Sequence, residues 1–102
     1  MANHNFSELY DQYPGSIAQM PEVFTSHEFI LALAHQNQRL YIEALYSHRD
    51  YLHRGGNAPF LVVHRVLSQR LSDLPELVEH IGTVPSRDIF GHSNNCAQWQ
   101  RK

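Results

Sequence analysis

The triplet HRD at 48–50 is the first stretch whose residue types suggest chemistry, because these residues in this order open the catalytic loop of protein kinases. That loop needs an asparagine five residues after the aspartate to hold a metal ion. Position 55 is Gly55 here, and Asn57 lies two residues too late. The sequence also lacks a glycine-rich nucleotide loop, and 102 residues cannot form a two-lobed kinase. Kinase chemistry is therefore excluded, and the triplet is interpreted as the end of a helix before a glycine turn.

His92 and Cys96 are the pair whose types could bind a metal, since a spacing of four residues suits two zinc ligands on one helical turn. A closed zinc site needs four ligands, and the sequence has no CxxC or HxxxH to supply the others. A nucleophilic role for Cys96 would need a partner base, and no recognisable motif surrounds it. We therefore predict no metal, no cofactor and no enzymatic activity. A small His- or Cys-dependent metal protein or enzyme is the second alternative.

Basic residues near the glycine turn suggest contacts with phosphate. Seven of the eight basic side chains are arginines, which favour planar, bidentate contacts with phosphate or carboxylate. The four arginines nearest to Gly55-Gly56 are Arg49, Arg54, Arg65 and Arg70. They are the candidate contacts for the first alternative function, a regulator that binds nucleic acid.

A helix-turn-helix could present these arginines, because two helices predicted at about 59–72 and 74–81 are joined by the short segment SDLP. The second helix of that motif enters the major groove and should not be acidic. Its exposed positions would here be Glu76, Glu79 and His80. Nucleic acid is therefore a partner that the sequence allows but does not favour.

The strongest element is a long helix predicted from about 26 to 53. Thr25 and Glu28 have the spacing of a capping box, and apolar residues then recur every three or four positions without Gly or Pro until Gly55. Such a helix would be about 42 Å long, against about 35 Å for the diameter of a compact domain of this size. It must therefore protrude, be covered by a partner, or bend at the polar trio QNQ at 36–38.

The same helix suggests self-association. Its candidate interface residues recur with the spacing of coiled-coil core positions: Ile30, Leu33, Asn37, Leu40 and Ala44. A buried asparagine at such a position can fix pairing and oligomeric state. The alternative is that Asn37 lies at the solvent edge of the chain's own core.

Two further helices are predicted after the turn. Pro59 opens the first, at about 59–72, with Phe60, Val63, Leu67 and Leu71 on one face. His64 shares this face and is interpreted as a histidine at the edge of the core, with a pH-responsive contact as the alternative.

The second of these helices is predicted at about 74–81. Asp73 and Glu76 have capping-box spacing, an apolar stripe follows, and Gly82 would end the helix. No strand is predicted, because GTVPSRDIFG at 82–91 is short and interrupted.

The N-terminal segment is predicted to hold a short helix and a turn. Asn5 and Glu8 have capping-box spacing, and YPGS at 13–16 has Pro and Gly in the positions of a type II turn.

Length and composition predict one small domain over residues 1–102. It divides into an N-terminal segment at 1–24, a helical core at 25–82, and an irregular or short-helical tail at 83–102. One cysteine allows no internal disulfide, and neither a leader segment nor an apolar run long enough for a membrane is visible. A cytoplasmic protein without a membrane partner is expected. Eight histidines would add positive charge on mild acidification.

The sequence thus predicts an all-α domain of about four to five helices, in which the long helix packs against those at about 59–72 and 74–81. The favoured function is a non-enzymatic interaction or regulatory module that forms a homodimer or binds a protein partner.

Overall fold

The computed structural model of the chain describes residues 6–48, 59–89, 91 and 93–102. Over these residues the fold combines helices with a three-stranded antiparallel sheet. The helices are α1 (Ser7–Asp11), α2 (Tyr13–Ala18), α3 (Ser26–Gln36), α4 (Gln38–Ser47) and α5 (Pro59–Leu71). The strands are β1 (Val23–Thr25), β2 (Val78–Arg87) and β3 (Ser93–Arg101). The prediction of an all-α domain is therefore wrong, and the chain is an α+β protein.

The N-terminal segment holds two short helices. The predicted short helix is confirmed as α1, although Asn5 lies outside the described residues. The predicted turn at 13–16 is wrong, because these residues form the first turn of α2. Pro14 is tolerated there because the first turn of a helix leaves its N–H groups without intrahelical partners. The buried Tyr13 ties this segment to α5, since its hydroxyl donates to the Leu67 carbonyl at 2.5 Å.

The predicted start of α3 is confirmed. The backbone N–H of Glu28 donates to Thr25 Oγ1 at 3.1 Å, and the Thr25 N–H donates to Glu28 Oε1 at 2.8 Å. This reciprocal capping box satisfies donors that the first helical turn would otherwise leave unpaired.

The long helix bends at Asn37, within the polar trio where a bend was one of the expected outcomes. Asn37 leaves helical geometry, with φ −133° and ψ 55°, and separates α3 from α4. Its side-chain Nδ2 donates to the Leu33 carbonyl at 3.0 Å, and its own carbonyl accepts the Tyr41 N–H at 3.0 Å. The two helices of 11 and 10 residues are about 16 and 15 Å long, which fits a molecule whose longest extent is 38 Å. Residues 49–53 of the predicted helix lie outside the described part of the chain.

The predicted helix after the glycine turn is confirmed as α5, which begins at Pro59 and ends at Leu71, one residue before the predicted end. Val63, Leu67 and Leu71 recur every four residues and are fully buried. This spacing places them on one face of the helix, which packs into the core.

The predicted helix at 74–81 is wrong. Residues 72–77 form turns, and β2 starts at Val78, so Gly82 lies inside a strand and does not end a helix. The apolar stripe that suggested a helix is divided between the turn and the strand. Leu74 and Leu77 pack against the core from the turn, and Val78 is buried at the first position of β2. Ile81 is the extra residue of a bulge between His80 and Gly82, and it is exposed.

The sheet is a β2–β3 hairpin closed by β1, in the order β1-β3-β2. β1 pairs only with residues 98–100, whereas β2 pairs with β3 from Val78 to Arg87. The half of the hairpin nearest its turn therefore extends beyond β1. Gly91 in this turn has a φ of 86°, a conformation that favours glycine, and its N–H donates to the Asp88 carbonyl at 3.0 Å.

One hydrophobic core joins the helices to one face of the sheet. Its fully or almost fully buried residues include Leu9, Tyr13, Ile17, Phe24, Phe29, Ile30, Leu33, Ala44, Val63, Leu67, Leu71, Val78 and Trp99.

Candidate functional site

A polar pocket of about 350 Å³ lies where the start of α3, the middle of α5 and the turn end of the hairpin meet. The residues from the two helices that line it include His27, His64, Arg65 and Ser68. Asp88, Asn94, Asn95 and Cys96 line it from the hairpin. Polar groups that converge on a concave surface from three separate elements define the best candidate site among the described residues.

The capping box fixes the α3 side of the polar pocket, because His27 is the second residue of the helix. Its backbone N–H donates to Cys96 Sγ at 3.3 Å, which ties α3 to β3. Its ring Nδ1 shares a hydrogen bond of 3.0 Å with Ser86 Oγ, which ties it to β2. The backbone N–H groups of His27 and Glu28, at the start of α3, therefore both donate to groups within the chain.

α5 contributes His64, Arg65 and Ser68. His64 Nε2 shares a 2.7 Å hydrogen bond with the Tyr41 hydroxyl of α4, and the two rings stack with centroids 5.9 Å apart. Burial lowers the pKa of His64; the nearby Asp88 carboxylate opposes this shift, and His27 adds to it. Burial also raises the pKa of Tyr41 to about 12. At neutral pH the pair is therefore uncharged.

Ser26 connects the polar pocket to the core. Its Oγ accepts one hydrogen bond from Ser68 Oγ at 2.8 Å and another from the indole Nε1 of the buried Trp99 at 2.9 Å. One hydroxyl therefore links α3, α5 and β3.

Of the four arginines predicted to contact nucleic acid, two are described, and only one of these lines the polar pocket. Arg65 is exposed and lines the polar pocket. Arg70 does not, because its guanidinium lies 4.5 Å from the centre of the Tyr10 ring and 3.7 Å from the Asp73 carboxylate. Arg49 and Arg54 lie outside the described residues.

Cys96 lines the polar pocket, but its described hydrogen bonds join it to backbone. Its Sγ accepts from the His27 N–H and lies 3.5 Å from its neighbour's carbonyl, that of Ala97. His92, the other predicted metal ligand, lies outside the described residues. Within the described ranges, no three His, Cys, Asp or Glu side chains are grouped closely enough to hold a metal ion.

The residues predicted for self-association pack largely within the chain itself. Ile30, Leu33 and Ala44 are buried in the core, Leu40 packs against it, and Asn37 forms the bend. Self-association stays a prediction, and Ile30, Leu33 and Ala44 are not exposed to take part in it.

Sequence reasoning missed His27, Asp88, Asn94 and Asn95 as members of one site. The capping box did place His27 at a helix start, which is a local signal. No local signal joins it to residues some sixty positions away, because the hairpin that brings them together was not predicted.

Comparison of the chain with protein-family models, with curated proteins and with solved structures finds no match. None of the helices in the described ranges is long and apolar enough to span a membrane. The function must therefore be argued from the site.

Proposed function

We propose that the chain is a non-enzymatic, cytoplasmic module that binds nucleic acid through α5 and the β2–β3 hairpin. The observation that carries this proposal is that α5 and the turn end of the hairpin, together with the start of α3, line one polar pocket that includes Arg65. The free thiol of Cys96 agrees with the expected reducing compartment.

The topology supports the proposal. α5 is followed by the turns of residues 72–77 and then by the β2–β3 hairpin, and the turn end of this hairpin lines the same pocket as α5. In helix-turn-helix proteins one helix lies in the major groove of DNA. Topology alone does not define a function, so the proposal rests on the chemistry of the surface.

The exposed side of α5 carries suitable chemistry. Arg65 and Gln69 are exposed and four residues apart, so they lie on the same side of the helix. Arginine and glutamine are side chains that form paired hydrogen bonds with the edges of guanine and adenine.

The acidic residues that argued against nucleic acid lie elsewhere in the fold. Glu76 lies in the turn before β2, and Glu79 lies near the start of that strand. Arg87, near the hairpin turn, lies eight positions after Glu79 in β2, which is roughly 26 Å at about 3.3 Å per position. Since salt screens exposed charges beyond about 8 Å, Glu79 does not oppose phosphate at the turn end. Asp88 is the acidic side chain among the lining residues.

The test is binding of a labelled DNA duplex of mixed sequence, followed by fluorescence anisotropy over a series of salt concentrations. The expected result is salt-dependent binding that Arg65→Gln weakens several-fold, with a salt slope smaller by about one counterion. The matched control is Arg39→Gln, which removes the same charge from an exposed pair with Glu43 on α4.

Arg39→Gln should bind like the natural sequence, because Arg39 does not line the polar pocket. Absence of binding at low salt would refute the proposal, and so would equal losses in the two variants.

A further inference from the structure

We propose that the polar pocket binds a phosphate group, held by Arg65, His27 and His64. The phosphate can belong to a nucleic-acid backbone or to a free phosphate compound. This inference deepens the proposed function, and only its first source rests on that function.

The donors around the polar pocket suit a tetrahedral oxyanion. Arg65 supplies a guanidinium, which pairs with two phosphate oxygens at once. Asn94 supplies an amide donor from the hairpin, on the face of β3 that Cys96 shares, and a phosphate that takes the Ser68 proton must break its hydrogen bond with Ser26. A phosphate group needs several donors converging from different sides, which a single element does not provide.

The site does not depend on the start of α3 as an anion-binding helix end. The N–H groups of His27 and Glu28 already donate to Cys96 and Thr25. Binding must therefore come from the side chains. Arg65 and Asp88 bring opposite charges to the polar pocket, and burial lowers the pKa of His64.

Protonation should change this balance. Titratable and charged groups surround His64 from every element packed against it: His27 of α3, Tyr41 of α4, its neighbour Arg65, and Asp88 and Cys96 of the hairpin. As the pH falls toward the lowered pKa of His64, that histidine adds positive charge to the polar pocket. Phosphate should therefore bind more tightly in acid and promote proton uptake by His64.

The chain carries its own reporter of occupancy. Trp99 is the single tryptophan, and its indole N–H donates to Ser26, which also accepts from Ser68 in the polar pocket. A ligand that engages Ser68 should alter this hydrogen-bonded chain and hence the fluorescence of Trp99. His80 also packs against Trp99, at 5.2 Å between ring centroids, so each titration must be made at constant pH.

The experiment titrates the full chain with sulfate, a tetrahedral dianion whose charge does not change between about pH 5.5 and about pH 7.5, the range in which histidine titrates. Chloride keeps the ionic strength constant. The expected result is a saturable change in Trp99 fluorescence at both pH values, with a lower Kd at the acidic one.

Two variants should shift the Kd for sulfate in opposite directions. Arg65→Gln removes the guanidinium and should raise the Kd about tenfold. Asp88→Asn removes the opposing charge and should lower it several-fold. Arg39→Gln should leave it unchanged. General loss of structure cannot produce the tighter binding expected of Asp88→Asn.

The outcomes separate the inference from the proposed function. No saturable signal, or equal Kd values in Arg65→Gln and Asp88→Asn, overturns the phosphate site even where duplex binds. Saturable sulfate binding with no duplex binding supports the site and overturns the nucleic-acid function. Where both bind, suppression of the sulfate signal by saturating duplex assigns the phosphate to the nucleic-acid backbone, and persistence of the signal assigns it to a free compound.

Discussion

Replacing Ser26 with alanine should destabilise the protein because the Ser26 hydroxyl is the acceptor for the indole N–H of Trp99. Both residues are buried, so water cannot replace the lost partner. Leaving a buried donor unpaired costs about 1–3 kcal/mol. Ser68 loses the same acceptor, but it is only half-buried and can turn to water. We therefore expect Ser26→Ala to lower the free energy of unfolding by about 1–3 kcal/mol.

A double-mutant cycle isolates this interaction. Trp99→Phe removes the N–H, so Ser26→Ala should cost much less in that background, leaving a coupling energy of about 1–2 kcal/mol. The assay is urea unfolding followed by far-ultraviolet circular dichroism, since Trp99→Phe removes the fluorescent probe. The matched control is Ser72→Ala at an exposed serine, which should stay within about 0.5 kcal/mol.

Equal costs of Ser26→Ala in the two backgrounds would refute this reasoning. They would also count against the fold, because Ser26 and Trp99 meet only if β3 packs beside the start of α3.

Two further predictions concern stability. Leu67→Ala should lower the free energy of unfolding by about 2–5 kcal/mol, because Leu67 is 0% exposed in the core. Leu31→Ala is the control and should cost far less, because Leu31 is 54% exposed. Urea unfolding of both variants measures the difference. Burial lowers the pKa of His64 in the folded state, so the unfolded chain binds more protons in acid. The stability that the protein gains from keeping His64 neutral should be fully present above about pH 6.5 and should decrease as the pH falls toward the pKa of His64 in the folded state. His64→Gln should remove that part of the pH dependence in thermal unfolding curves, and an unchanged pH profile would contradict the assignment.

Local signals in the sequence were sufficient to predict where α3 and α5 begin. The capping box of Thr25 and Glu28 was predicted correctly because its hydrogen bonds join residues three apart. α5 was predicted because Pro59 suits a first helical turn and the stripe through Val63 and Leu67 has helical spacing. The bend at Asn37 was one of three outcomes that the length argument left open.

The sequence by itself thus determined where α3 and α5 begin and most of the side chains that they bury, although Phe60, predicted on the buried face of α5, is 42% exposed. The tertiary structure decided that residues 78–87 form a strand. Their apolar spacing alone suits a helix, but they form backbone hydrogen bonds with β3, as far along the chain as Arg101. β3 itself is rich in asparagine and glutamine, which gives it no local strand signal. The polar pocket follows from that pairing, because only the hairpin brings Asp88 and Asn94 beside His27 and Arg65. Contacts between residues far apart in the chain are set by packing of the whole core, and local spacing does not encode them.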